Sequence, residues 1–239
     1  MQNPSKLNPD PIINASVEFR FNATVSNEAV LGVFLVHAGD EYSNFQKLPI
    51  ADIPAEMRNS DPNLKYAPWF QLVHDDYRLQ LGPNVLSISN PIKYKGWNSN
   101  FYPFVCKITK LLKKSNLIKE YTRLGLRYVD FFKGDIFEHT TISIKCNDKP
   151  LKAKQTSISF TKSYNNVEAR VNITNKAMVT IDNKQSMGSV IDTDTYILST
   201  KLLEPDELNK EINSMHDIAS DVFFNLLTKD FVNSLNPEY

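Results

Sequence analysis

The fold of this chain is decided by residues 77–97, which read YRLQLGPNVLSISNPIKYKGW. Apolar and polar residues alternate over 77–81, as they do in a strand that buries one face. The Gly-Pro-Asn triplet at 82–84 interrupts the pattern, because Gly and Asn tolerate a positive φ and Pro removes a backbone donor. We therefore expect a turn or a bulge at the triplet, renewed strand up to residue 90, and a helix after Trp97.

The elements on either side of this stretch give the first half of the chain a recognisable order. Patterns of period 2 predict strands, and patterns of period 3.6 predict helices. The order is strand, helix, strand, strand, helix, strand, which is that of the ferredoxin-like split unit. The predicted bounds are, in chain order, 16–22, about 27–38, 69–73, 77–90, about 100–114 and 121–131.

The second half of the chain predicts a different arrangement. Short strand patterns follow one another between residues 138 and 198, and a long amphipathic helix begins at Pro205. The fold class is therefore α+β. A ferredoxin-like βαββαβ half covers residues 1–134, and an antiparallel sheet packed with a C-terminal helix covers residues 135–239. The two halves are expected to pack as one compact unit.

Five segments of the chain carry a resemblance to a known family. They are LQLGPN at 79–84, YKGW at 94–97, NASVEFRF at 14–21, LGLRYVD at 124–130 and VIDTDT at 190–195. Together they resemble the signature of an uncharacterised prokaryotic family that is distributed sporadically among bacteria, and the likeness covers nearly the whole chain. Such a distribution is typical of accessory or defence-linked genes. The resemblance implies no activity and no catalytic residue.

The composition is that of an ordinary globular protein of 239 residues, 41% of them hydrophobic. Its 27 basic and 27 acidic residues balance, so no global attraction to nucleic acid or membrane is expected. No apolar run is long enough to cross a membrane, and the first residues lack a signal-peptide pattern. Cys106 and Cys146 are too few for a disulfide framework, which favours a cytoplasmic location.

The charges are distributed unevenly along the chain. Residues 90–162 contain 15 Lys or Arg and only 5 Asp or Glu. Such asymmetry indicates either an acidic partner or one part of the chain docking on another. We favour complementarity within the chain or between copies of it over a nucleic-acid partner, because Lys-rich helix faces are common for solubility alone.

The sequence contains no recognisable catalytic constellation, so the catalytic residues are unknown and an enzyme is disfavoured. There is no Gly-rich phosphate loop, and the His and Cys residues lack metal-ligand spacing. No cofactor is expected. Asp192 and Asp194 are weak candidates for a metal site, because they point to the same side of a strand and paired carboxylates hold divalent ions. No third acidic residue lies near them in sequence.

The polar face of the predicted first sheet is the strongest candidate site. Arginine dominates it, and like charges on adjacent strands destabilise a sheet unless something offsets them. One interpretation is an anion or partner site, since Arg binds phosphate or carboxylate with two hydrogen bonds. The other is a contact with the second half, through Glu168, Asp192 or Asp194. The candidate residues are Glu18, Arg20, Arg78, Gln80, Arg123 and Arg127.

The central motif has two interpretations as well. Its aromatic residues either anchor the corner between strand and helix against the core or stack on a ligand, and we favour the anchor. A glycine there allows close approach of the backbone. The motif residues are Gly82, Pro83, Asn84, Tyr94, Gly96 and Trp97.

These observations favour a non-enzymatic binding or regulatory protein, accessory to a mobile or defence-linked bacterial system. The expected partner is another protein or a second copy of the chain, such as a homodimer. The alternative is a nucleic-acid-binding protein or a metal-dependent nuclease that uses the basic segment 90–162. Base-stacking aromatic residues are absent from the predicted polar face, which argues against sequence-specific RNA binding.

Overall fold

The structure is a computed structural model and describes residues 3–42, 44–90, 94–150, 155–181, 184–198 and 201–239. The turn predicted at residues 182 and 183 lies outside this range. The strands are β1 Ile12–Ala23, β2 Phe45–Lys47, β3 Phe70–His74, β4 Tyr77–Gly82, β5 Val85–Asn90, β6 Ile118–Phe132, β7 Lys145–Cys146, β8 Lys149–Pro150, β9 Ser157–Tyr164, β10 Val167–Ile181 and β11 Lys184–Leu198. The α-helices are α1 Val30–Ala38, α2 Ala55–Ser60, α3 Tyr102–Ser115, α4 Pro205–Leu226 and α5 Lys229–Ser234.

The chain forms two compact units, each made of more than one stretch of sequence. The motif unit comprises residues 16–126 and 196–214, and the terminal unit comprises residues 1–15, 127–195 and 215–239. Strands β1, β6 and β11 and helix α4 each contribute residues to both units. The predicted division into residues 1–134 and 135–239 stays a prediction.

The strands of the motif unit lie in the order β2-β3-β4-β5-β1-β6. The pairs β2/β3, β3/β4 and β4/β5 are antiparallel. The interruption in the central motif is a hairpin turn, because Gly82 pairs with Val85 and leaves Pro83 and Asn84 as the loop. Pro at the first loop position keeps φ negative, so the turn is of the ordinary type I or II class and not one of the mirror types that are commonest in two-residue hairpins. The expected turn at the triplet is therefore confirmed.

The ferredoxin-like arrangement of this unit is not confirmed. Strand β1 does lie between strand β5 and strand β6, as that topology requires. However, the predicted strand 77–90 is two strands, β4 and β5, because the turn at 82–84 reverses the chain. A further edge strand, β2, and the short helix α2 occupy a region that the prolines had indicated to be irregular. Short elements between prolines give too little periodic pattern to be recognised.

One face of this sheet is buried and the other is polar, as the alternation predicts. The burial pattern of β1 and β4 alternates residue by residue. The helix α3 buries the apolar side predicted for it and leaves its lysines outside. Each residue of the predicted core is at most 8% exposed. These residues are Phe19, Leu79, Leu81, Phe104, Ile108 and Leu126.

The terminal unit consists of a sheet covered by helix. Its strand order runs β6-β11-β10-β9, and β9 and β10 pair antiparallel over eight residues. The C-terminal part of α4, with α5, packs on this sheet, which confirms the predicted antiparallel sheet with a C-terminal helix. The stretch after residue 135 begins with a 3-10 turn, Ile136–His139, because Asp135 accepts a hydrogen bond from the amide of Phe137. The core includes Phe132, Ala169, Val171, Ile173, Ile191, Val222, Leu226 and Val232.

No helix in the described part of the chain is long and apolar enough to cross a membrane.

Candidate functional site

The polar sheet face of the motif unit is formed by side chains that alternate with the core residues. We use this name for Glu18, Arg20, Gln71, Arg78, Gln80, Ser87, Ser89 and Arg123. Registered pairs place Gln71, Gln80 and Ser87 in one row across β3, β4 and β5. Arg78 lies opposite Val73 on one side and opposite Ser89 on the other. The face thus brings together the candidate residues that lie in this unit.

Glu18 binds two arginines from different strands. Its Oε1 accepts a hydrogen bond from Arg20 Nε at 2.7 Å and from Arg123 Nη1 at 2.8 Å. The side chains of Glu18 and Arg123 are only 28% and 13% exposed, so solvent screens the Arg123 pair weakly. One carboxylate therefore offsets part of the charge of two guanidinium groups, and this triad is fixed in place before any ligand arrives.

Aromatic rings and a glycine position these guanidinium groups. Arg20 lies over the ring of Tyr66 at 4.6 Å, and Arg123 lies over the ring of Tyr196 at 4.8 Å. A Cβ atom on Gly125 would lie 2.2 Å from Arg123 Nη1, so a larger residue there would displace that guanidinium from its place against the strand. Sequence reasoning missed these contributions, although a glycine inside a strand is a signal of close approach.

Arg78 differs from the other arginines of the face. Its Nε atom is buried and has no hydrogen-bond partner among the residues that the structure describes. A buried donor without a partner is costly, more so on a charged group. Gln80, its neighbour on β4, is engaged with Gln71, whose Oε1 accepts from Gln80 Nε2 at 3.3 Å. Arg78 is therefore the arginine of the face whose buried donor would gain most from moving to an acceptor.

Arg127 belongs to the terminal unit and has a carboxylate partner. Its Nε and Nη2 donate to the two oxygens of Asp192 at 2.7 and 2.8 Å. This is the two-pronged geometry in which Arg and carboxylate bind best. Asp192 is one of the three carboxylates that the sequence analysis named as possible partners for the arginines.

We expect Arg127→Ala to lower the free energy of unfolding by about 0.5–1 kcal/mol, as for other partly exposed pairs. The side chain of Arg127 is 54% exposed, so solvent weakens the ion pair. Asp192 is only 16% exposed, so its carboxylate is left partly desolvated when the guanidinium is removed. Urea denaturation of this variant beside Lys133→Ala, which removes an exposed charge, measures the difference. A loss above about 3 kcal/mol would show that the pair behaves as a buried one.

The two metal candidates, Asp192 and Asp194, both bind arginine. Asp194 accepts from Arg170 Nη2 at 2.8 Å. A carboxylate engaged with a guanidinium is a poorer cation ligand, because binding a metal would break the ion pair. Among the described residues no group of three or more His, Cys, Asp or Glu side chains is arranged to hold a metal ion.

The residues of the central motif make backbone contacts. A Cβ atom on Gly82 would lie 2.6 Å from the carbonyl oxygen of Ala67, so glycine permits the loop before β3 to approach. Asn84 fixes the hairpin to β1, because its carbonyl accepts from the amide of Phe21 at 3.0 Å. Its Nδ2 also donates to the carbonyl of Phe21 at 3.2 Å.

The second part of the motif forms the corner before α3. Gly96 has φ +100°, a conformation that favours glycine. Trp97 is 5% exposed, and its Nε1 donates to Asn213 Oδ1 at 2.9 Å. Tyr94 meets Phe101 edge to face, with ring centroids 6.3 Å apart. These contacts are those of a packing anchor.

Part of the positive charge of segment 90–162 is balanced within each unit. In the motif unit Lys107 binds Glu41 at 2.9 Å and Lys113 binds Glu204 at 2.6 Å. Lys95 pairs with Asp76 in the same unit. These carboxylates lie outside the segment, as do Glu18 and Asp192. Residues 91–93 and 151–154 of the segment lie outside the described residues.

The terminal unit also contains a buried acid that sequence reasoning missed. Asp130 is 3% exposed, and burial raises its pKa well above the usual value, with further contributions from the nearby carboxylates of Asp10 and Asp192. Burial likewise lowers the pKa of His216 to about 4. The Nδ1 of His216 is hydrogen-bonded to the hydroxyl of Tyr128 at 3.0 Å.

The chain was compared with protein-family models and with curated proteins. No protein-family model matches the chain, and no curated protein matches it either. The family resemblance drawn from the motifs therefore stays a prediction.

Proposed function

We propose that the chain is a non-enzymatic binding or regulatory protein whose polar sheet face binds acidic side chains of a protein partner. The observation that carries the proposal is the buried Nε of Arg78, which has no hydrogen-bond partner within the described part of the chain. The face on which it lies carries more arginines than carboxylates among the residues defined above. A carboxylate that binds the guanidinium of Arg78 would draw its Nε out of the position in which it is buried without an acceptor, and it would reduce the repulsion between strands.

The spacing of the face suits an acidic side chain. Arg78 lies on β4 and Arg20 on β1, with β5 between them. Adjacent strands are about 4.8 Å apart, so these two strands are about 10 Å apart. Opposite Gln80 and Arg78, the intervening strand presents Ser87 and Ser89. A carboxylate that lies over these short serine side chains would be flanked by the two strands that carry Arg78 and Arg20.

A protein partner is favoured over nucleic acid by the mixture of charges. Glu18 lies among the arginines and would repel a phosphate backbone, whereas a protein surface can present a basic group opposite it. The formal net charge of the chain is zero, and the lysines described above are paired. Tyr66 and Tyr196 lie beside the face, but each is covered by a guanidinium group instead of being open to a base.

We expect the wild-type protein to bind a fluorescently labelled oligo-glutamate peptide at low salt, measured by fluorescence anisotropy. Arg78→Ala should weaken this binding by about tenfold, equivalent to ~1.4 kcal/mol. Arg78→Lys should weaken it as well, because an ammonium group lacks the planar fork of Arg. Lys145→Ala is the matched control, since it removes one exposed positive charge outside the face and should leave binding unchanged.

Three results would contradict the proposal. The first is that the wild-type protein does not bind the peptide. The second is that Lys145→Ala weakens binding as much as Arg78→Ala, which would show dependence on net charge alone. The third is tighter binding of a labelled single-stranded oligonucleotide of equal charge, which would favour the nucleic-acid alternative. Thermal melting of each variant establishes that it is folded, and Arg20→Ala provides a second arginine variant if Arg78→Ala melts early.

Several broader predictions accompany this proposal. The family resemblance and the link to a mobile or defence-linked system are supported only by the sequence motifs, and a cytoplasmic location only by the sparse cysteines. A distant ferredoxin-like relationship of the motif unit is supported by the position of β1 between β5 and β6. Co-purification of the chain with the products of neighbouring genes tests the first of these.

A further inference from the structure

Among the described strands, β9 of the terminal unit has a neighbour on one side only. The strand order of that unit ends at β9, and β9 pairs with β10 over eight consecutive residues without a bulge. It contains no proline, and its one charged residue is Lys162. Five of its residues are exposed, and they are Ser157, Ser159, Thr161, Lys162 and Ser163.

Such an edge is unusual, because proteins normally prevent their edge strands from pairing with other chains. An edge strand presents a row of unpaired N–H and C=O groups, and shortness, proline, bulges or several charges prevent another strand from pairing with it. Strand β2 of the motif unit is protected in this way, since it is three residues long and carries Lys47, which is paired with Asp52. Strand β9 has none of these features except a single lysine.

We propose that β9 pairs antiparallel with β9 of a second copy of the chain, forming a symmetric dimer through this edge. The proposal is independent of the polar sheet face. A two-fold axis that passes through Thr161 places Phe160 opposite Lys162 of the second copy and Ile158 opposite its Tyr164. No lysine then faces a lysine, and an aromatic ring faces each lysine, a contact that Lys162 already makes with Tyr164 at 4.9 Å.

The sequence of β9 is therefore complementary to itself. Its side chains alternate, with Ile158, Phe160 and Tyr164 partly buried and small Ser or Thr residues between them. Like residues consequently meet on the same side when two copies pair around the axis, and isologous contacts of this kind are the commonest in oligomers.

The experiment uses charges of opposite sign at Thr161, measured by size-exclusion chromatography with light scattering. We expect the wild-type chain to have the mass of a dimer. Thr161→Lys and Thr161→Glu should each weaken the dimer at least about tenfold, because like charges then meet at the axis. An equal mixture of the two variants should restore the dimer, because the charges are then opposite. Thr180→Lys and Thr180→Glu, at an exposed threonine on β10, are the matched controls and should remain dimeric.

Other outcomes overturn the proposal. If the wild-type chain is a monomer at every concentration, β9 does not pair with a second copy, and a strand of another protein becomes the candidate partner. A dimer that survives both Thr161 variants would use a different surface. Loss of the dimer in the Thr180 controls would show a general effect of charge. Because Thr161 is exposed, thermal melting should show each variant to be folded, and the restored mixture excludes unfolding as the cause of dissociation.

Discussion

Replacing Leu79 with alanine is expected to lower the free energy of unfolding by about 2–5 kcal/mol. Leu79 is fully buried on the core side of β4, opposite Leu72 on β3 and Ile88 on β5, both of which are also fully buried. Removing its side chain deletes apolar contacts on both neighbouring strands and leaves a cavity. Strands flanked on both sides cannot collapse easily into such a space, so the cost should lie well above that of a surface change.

Gln80→Ala is the matched control for this prediction. The next residue on the same strand faces the polar side, where it meets Gln71 at 3.3 Å. Its loss should cost within about 0.5 kcal/mol, the range of ordinary surface changes. Urea denaturation of both variants measures the contrast. Equal effects at the two positions would mean that the two faces of β4 are not divided into core and surface.

The alternation around the central motif predicted this division of faces because burial in a strand follows a period of two. Local patterns also placed α3 and the long helix α4, whose apolar stripes are continuous. Strand β2 and helix α2 were missed, since elements of three and six residues lie below the length at which periodicity can be read. The hairpin β4–β5 was predicted in part. The residues at 82–84 indicated a turn or a bulge, but they did not show that the chain reverses there and forms two strands.

The candidate site could be predicted only as a set of strand positions. Alternation placed Glu18, Arg20 and Arg123 on the same polar face, but the sharing of one Glu18 oxygen by both arginines depends on a contact between residues 105 positions apart. Likewise, the position of Tyr196 under Arg123 depends on strand pairing that no local pattern encodes. Asp130 shows the same limit, since an acidic residue in an apolar strand gives no sign of its neighbours.

Asp130→Asn is expected to stabilise the protein increasingly as the pH rises. Burial raises the pKa of Asp130 well above its usual value in the folded chain, so the native state holds this proton more tightly than the unfolded state does. The stability that comes from the protonated carboxyl is fully present below the unfolded pKa and is lost as the pH rises through the folded pKa. Asparagine has a similar shape and no proton to lose, so the variant lacks this decline.

The test requires a difference at each pH, since other groups titrate in the same unit. His216 has the opposite dependence: burial lowers its pKa from 6.5 to about 4, so its contribution to stability is lost as the pH falls through this range. Burial also raises the pKa of Asp10, whose carboxylate acts on Asp130. Subtracting the unfolding free energy of the wild type from that of the variant removes the His216 contribution. It leaves the titration of Asp130 together with its effect on the neighbouring carboxylates of Asp10 and Asp192.

Both proteins are denatured with guanidinium chloride at a series of pH values from acid to mildly alkaline. The unfolding free energy of Asp130→Asn minus that of the wild type should be smallest in acid and should increase as the pH rises. Asp148→Asn, which removes an exposed carboxylate from the β7–β8 turn, controls for the change in net charge. A difference for Asp130→Asn that is constant across the pH range would mean that the pKa of Asp130 is the same in the folded and the unfolded chain. A difference that shrinks with rising pH would mean that the charged carboxylate is the native form, held by a positive partner. Growth of the difference with pH would instead show that the fold raises the pKa of Asp130, as expected for a carboxyl that is buried and lies near two other carboxylates.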